Sequence, residues 1–233
     1  LPAVPSNARF AIKNGMLVPY SAGRYVGQRR GGKRVVLDVK RGAQSVGITG
    51  PWKVNFAPGW GAPNSVTLPS LSSWSTHPDK GVRYFSGSAT YLKEFDLSSS
   101  MVGNGKVLNL DLGTVKNFAT VKLNGKNLGI LWKAPFAVDI SGVAKFGKNR
   151  LEVKITNLWV NRIIGDEQLA PDVEWTGVTL KGWPEWLTKK QPRPKTGRYT
   201  FTTWKFWNKD SKLLDSGLLG PVRVRSATPV AIR

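Results

Sequence analysis

The chain has 233 residues, no cysteine, one histidine and a formal net charge of +21, from 35 Lys and Arg against 14 Asp and Glu. The absence of cysteine excludes disulfides, thiol nucleophiles and thiolate metal sites, and a lone His77 argues against a transition-metal centre. No apolar run approaches the roughly 20 residues of a membrane-spanning helix, and the opening LPAVPSNARF does not read as a signal peptide.

A positive field of this size attracts polyanions and speeds their arrival. Nucleic acid, an anionic membrane surface and an acidic polysaccharide all qualify. The excess is spread along the chain: residues 1–50 carry nine basic residues against Asp38, and residues 51–169 carry fourteen against eight acids. Dispersed charge also serves solubility or an acidic milieu, so charge alone assigns no partner.

In chain order, residues 8–46 read as strands around Phe10, Met16 to Tyr20, Tyr25 and Val35 to Val39, giving a small β module at 1–48. Thr49-Gly50-Pro51-Trp52 then opens a larger unit, 49–233. Phe85, Ala89, Tyr91, Phe95 and Leu97 share one face of a strand, opposite Ser86, Ser88, Thr90, Glu94 and Asp96. Leu108, Leu110 and Leu112 oppose Asn109 and Asp111, and Ala119, Val121 and Leu123 oppose Thr120 and Lys122. Asn124-Gly125 predicts a two-residue hairpin, since both residues tolerate positive φ. Leu151, Val153 and Ile155 form another one-sided strand, which runs into a Trp-Val-Asn-Arg turn and an acidic tip, Asp166-Glu167. Val222 and Val224 alternate with Arg223 and Arg225. One-faced burial repeated in this way predicts an all-β fold, an antiparallel β-sandwich with scarce helix. The long stretch 171–196, rich in Pro, Trp and Lys, exceeds ordinary loop length and reads as a functional loop or lid.

Several segments resemble the C-terminal β-sandwich region of glycoside hydrolase family 106, the α-L-rhamnosidases. They are Gly50 to Pro63 (GPWKVNFAPGWGAP), Arg83 to Leu97, Leu110 to Leu169 and Thr200 to Val224, with a weaker lead-in from Phe10 to Tyr25. The resemblance implies a galactose-binding-like jelly roll and a secreted or periplasmic bacterial setting. It also implies that the catalytic carboxylates belong to a barrel for which this chain shows no pattern. Jelly rolls of this kind often hold a structural calcium, for which Asp166 and Asp79 are candidate ligands, although no spacing is diagnostic.

Glycoside hydrolysis needs two carboxyls facing each other across a cleft. Glu94, Asp96, Asp111 and Glu152 read as single acids on exposed strand faces, and a cleft pair such as Glu167 with Glu185 is conceivable. No nucleophile elbow accompanies His77, which reads as a polar turn before Pro78. The expected role is therefore non-catalytic. Trp175, Trp183 and Trp186, with Lys189, Lys190 and Arg193, suit an acidic glycan: sugars stack on flat rings, and guanidinium pairs with carboxylate or sulfate. Trp60, Trp74, Asn161 and Arg162 are second-rank contacts, whereas Trp52, Trp132, Trp159, Trp204 and Trp207 read as packing residues. Two alternatives stand beside this: support for a catalytic barrel, and, less favoured, single-stranded nucleic-acid binding.

Overall fold

The computed structural model describes residues 9–103 and 105–232. A small module comes first. Strands β1 (Phe10–Lys13) and β2 (Met16–Pro19) form a hairpin, followed by a second hairpin of β3 (Gly23–Gln28) and β4 (Arg34–Val39). Strand β5 (Gln44–Gly47) lies before residue 48 in sequence but joins the sandwich. The final strand, β19 (Val230–Ala231), returns to pair with β2, so the small module is built from both ends of the chain.

The sandwich has two antiparallel sheets. The larger runs β12 (Lys126–Leu131), β11 (Phe118–Leu123), β14 (Gly147–Thr156), β8 (Ser88–Leu97), β6 (Trp52–Phe56) and β7 (Ser65–Leu68). The smaller runs β13 (Ala137–Asp139), β9 (Val107–Asp111), β18 (Arg223–Ala227) and β5. Short pairs of β10 (Thr114–Lys116) with β17 (Gly217–Gly220), and of β15 (Trp175–Thr176) with β16 (Thr179–Leu180), complete the strands. Among the described residues, helix is confined to α1 (Lys80–Arg83), α2 (Ser99–Val102), α3 (Val160–Asp166), α4 (Glu185–Thr188) and one 3-10 turn at Trp74–Thr76. No helix among the described residues is long and apolar enough to cross a membrane.

The alternation read from the sequence produces this arrangement. Trp52, Val54, Ala89, Tyr91, Val121, Leu151, Val153 and Ile155 from the larger sheet meet Leu108, Leu110 and Val224 from the smaller in one buried core. Each fully buried aliphatic side chain contributes about 1.5–3 kcal/mol. Asn124 and Gly125 take φ of 50° and 81°, as the hairpin between Leu123 and Lys126 requires. The Trp74 indole stacks on Tyr91 and donates to its hydroxyl at 2.6 Å, and that hydroxyl accepts the Leu218 N–H at 3.0 Å.

The second face of the smaller sheet is polar and covered. Asp111, expected on an exposed face, is buried and receives Arg225 Nη2 at 2.7 Å and Arg223 Nε at 3.2 Å. Tyr20, just after β2, lies under the Arg225 guanidinium, and burial pushes its phenol pKa up. Lys13 of β1 pairs with Asp139 of β13. An arginine–aspartate layer thus replaces the exposed face that alternation alone suggests.

Three tryptophans expected to pack are exposed: Trp132, Trp159 and Trp204. Trp132 follows the edge strand β12, beyond its last partnered residue, so no neighbouring strand covers it. Trp159 sits at the N-cap of α3, and Trp204 forms a single bridge to Thr179 outside the sandwich.

Candidate functional site

Sandwich alternation ends at Thr156. Asn157 then ties the strand end to the β8 approach, donating to Phe85 O and accepting from Gly87 N, both at 2.8 Å. The segment read as a turn with an acidic tip is instead α3, and Asp166 is wholly buried within it. Gly165 permits this: a Cβ there would lie 2.6 Å from Cβ of Tyr84 and 2.4 Å from Nη2 of Arg162. Asn161 clamps the other side of α3, donating to Leu214 O and accepting from Leu214 N, both at 2.8 Å.

Arg162 and Asp166 are paired with Nε 3.0 Å from Oδ1. The second oxygen, Oδ2, accepts from Tyr199 N at 2.9 Å, Thr200 N at 2.6 Å and Thr200 Oγ1 at 2.7 Å. These bonds bring residues 199–200 onto α3. The Arg162 guanidinium then lies 5.0 Å from the Tyr199 ring centre and 5.9 Å from that of Tyr84.

The product is an aromatic surface. Trp159 meets Trp60 edge-to-face at 5.2 Å, and Tyr199 lies 6.1 Å from Trp60 on its other contact, tilted by 31°. Trp159 and Tyr199 are exposed, whereas Trp60 is half-buried and rests against the core. Gly61 allows the approach, since a Cβ there would stand 3.1–3.3 Å from the Tyr199 ring and hydroxyl. Of the second-rank residues, Trp60 is thus in this surface, Asn161 and Arg162 support it, and Trp74 is in the core at 1% exposure. Trp159 reads from the sequence as a packing residue and is instead exposed, and Tyr199 carries no sequence signal of its own. The available signal was the break in alternation at Thr156, which leaves Trp159 without a strand face to occupy.

The residues of the long stretch form a lobe held by ion pairs. Arg193 Nε binds Asp172 Oδ2 at 2.6 Å, its Nη2 donates to Thr200 O at 2.6 Å, and its guanidinium lies 5.5 Å from the Trp186 ring. Trp186 is half-buried, edge-on to Phe201 at 5.6 Å. Glu167 is bound by Arg198 and, at 3.1 Å, by Lys205, which also lies over half-buried Trp175. Lys189 pairs with Glu185 at 2.9 Å. Trp183 is 63% exposed beside a shallow cavity of about 240 Å³, and Lys190 is exposed at φ 53°. The loop's guanidinium groups therefore neutralise the chain's own carboxylates. Trp183 and Lys190 remain outward-facing.

Both candidate calcium ligands already have hydrogen-bond partners within the chain. Asp166 is surrounded by a guanidinium and three N–H or O–H donors, and Asp79 caps α1 by accepting from Val82 N at 3.0 Å. No group of three or more acidic, His or Cys side chains suited to a metal occurs among the described residues. The Glu167 and Glu185 carboxylates are each engaged with basic side chains rather than with one another.

No protein-family model matches the chain. A stretch of 193 residues, 83% of the chain, is 46% identical to a Formosa agariphila protein named "Putative beta-glucuronidase" and covers 16% of it. Among solved structures, a rhamnosidase from Novosphingobium sp. PP1Y superposes over 97% of this chain and 24% of its own, with TM-score 0.62 and 25% identity. A β-glucuronidase from Ruminococcus gnavus superposes over 79% of this chain and 29% of its own, with TM-score 0.50 and 26% identity. The relatives are glycoside hydrolases. The chain spans a minor part of each, 16% to 29% of their length.

Proposed function

We propose that this chain is the accessory sandwich of a glycoside hydrolase and recognises carbohydrate through Trp60, Trp159 and Tyr199. The observation that carries the reading is the exposed aromatic surface itself, which a buried ion pair holds in place. Sugar rings present C–H faces to such rings, and rigid two-torsion side chains lose little entropy on contact. The arginines of the lobe serve to fold it, so aromatic stacking ranks above the loop's charge as the source of affinity.

The reading assigns no catalysis to the chain alone. Its best-buried carboxylates, Asp111, Asp166 and Asp172, are each bound by arginine rather than facing a second carboxyl across a cleft. Bond cleavage is assigned to a barrel in a parent enzyme, α-L-rhamnosidase-like by the sequence resemblance, in a secreted or periplasmic setting. An acidic polymer is the proposed substrate class, in keeping with the +21 charge.

A second reading rests on a different surface. Trp204, Phe206 and Trp207 form a row with ring centres 5.8 and 5.7 Å apart, and Phe206 is 71% exposed. An apolar row of this size suits contact with another domain of the parent.

A glycan array containing rhamnogalacturonan, homogalacturonan and sulfated algal polymers, with DNA as control, tests the main reading at about 0.1 M salt. Selective binding that Trp159→Ala removes, with the thermal transition unchanged, is the expected result. Equal binding to every polyanion, or binding that survives Trp159→Ala, would overturn it in favour of support alone.

A further inference from the structure

A cavity of about 460 Å³ opens beside the aromatic surface, between the β10–β11 connection, the start of α3 and residues 212–216. Its size falls within the roughly 300–1,000 Å³ of small-molecule sites. Leu158 and Val160, the sequence neighbours of Trp159, line it, so the stacking surface and the cavity meet at α3.

The polar groups lining it divide into two sets. Asn157, Asn161 and Ser216 are used internally: Asn157 is bonded to Phe85 and Gly87, Asn161 clamps α3 onto Leu214, and Ser216 N donates to Ser73 Oγ at 3.0 Å. They make a fixed wall. Lys116, Asn117, Lys212 and Asp215 have no side-chain hydrogen bond or ion pair with any described residue. Two lysines and one aspartate give the unengaged set a net positive charge. Arg193, Arg198, Lys189 and Lys205 of the neighbouring lobe are engaged with carboxylates, whereas Lys116 and Lys212 line this cavity with their ammonium groups uncommitted.

We propose that this cavity is a subsite for the carboxylate of a uronic acid unit, held by Lys116 and Lys212. Asn117 and Asp215 then serve its hydroxyls, the amide as donor and acceptor and the carboxylate as acceptor. The inference rests on the glycan reading above and narrows it: Trp159 supplies stacking common to neutral and acidic sugars, and the lysines supply the preference for the acid. Ammonium groups hold a carboxylate as point charges, so the preference falls with added salt while stacking does not.

The test is an NMR titration of the whole chain with methyl β-D-glucuronide and with its neutral counterpart, methyl β-D-glucoside. The expected result is at least tenfold tighter binding of the glucuronide at low salt. Lys116→Gln with Lys212→Gln should bring the two sugars to equal affinity while leaving the glucoside unchanged. Lys212→Gln alone, at an exposed position, serves if the double variant unfolds, and should reduce the preference severalfold. Equal affinities in the parent chain, or a preference that both variants retain, would overturn the subsite and leave the glycan reading standing. Binding of neither sugar, with the chain folded, would overturn both.

Discussion

Arg162 and Asp166, one helical turn apart in α3, form an ion pair that is almost completely buried, with Nε 3.0 Å from Oδ1. The pair joins three parts of the chain. Asp166 fixes residues 199–200, Arg162 lies against Tyr84 and Tyr199, and the exposed aromatic surface is assembled on them. Two charges removed from water are tolerated there because the remaining Asp166 lone pairs also find donors.

Asp166→Ala leaves the Arg162 charge buried without its partner. The expected cost is about 3–5 kcal/mol of stability, the range for breaking a buried pair from one side. Urea denaturation followed by tryptophan fluorescence reads it as a lower midpoint. An unchanged midpoint would show that water enters the site and that the pair does not anchor the lobe.

Within the lobe, Trp186 and Trp183 should behave differently. Trp186→Ala removes the ring packed between Arg193 and Phe201, so residues 171–196 open locally and trypsin cuts at Lys189 and Lys190 severalfold faster. Trp183→Ala removes an exposed ring and leaves the cleavage rate as it was. Equal sensitivity in the two variants would count against the clamp.

Gly217 has φ 96°, and a Cβ there would lie 2.6 Å from the Tyr91 hydroxyl and 2.7 Å from Trp74 Nε1. Gly217→Ala therefore strains the backbone and displaces the hydrogen bond at the centre of the core. Overpacking of this kind costs about 1–3 kcal/mol. Differential scanning calorimetry should show a clear fall in the transition temperature, while Gly177→Ala, with nothing near its Cβ, isolates the cost of positive φ alone.

Acid should loosen the contact between the small module and the sandwich. Burial acts to raise the Asp139 pKa, but hydrogen bonds from Lys13 and Ser141, together with the Lys13 charge, outweigh it and hold the carboxyl below its ordinary value of 3.8. A depressed carboxylate contributes stability that is present in full above the unfolded value and lost as pH falls through the folded one. Hydrogen exchange in β1 should accelerate from about pH 4 downward, and Asp139→Asn should flatten that dependence. A profile identical in the two proteins would remove Asp139 from the account.

The strands were legible because burial on one face of a sheet writes itself as alternation: Leu151, Val153 and Ile155 read correctly without reference to any partner. The Asn124-Gly125 hairpin was legible for a local reason as well, the steric freedom of two residues at positive φ. Charge was not. Arg193 reads as a ligand-seeking cation until Asp172, 21 residues earlier, is found within hydrogen-bond distance, and Asp111 reads as exposed until Arg225, 114 residues later, covers it.

The sequence by itself determined the sandwich, its core and the basic character of the surface, since these depend on period, turn chemistry and composition. The tertiary structure alone decided which charges are spent. It also decided that Trp159, Trp60 and Tyr199 share a surface and that Lys116 and Lys212 line one cavity without a partner. Contacts between residues many positions apart leave no periodic trace, and an ion pair depends on where two loops meet rather than on what either contains.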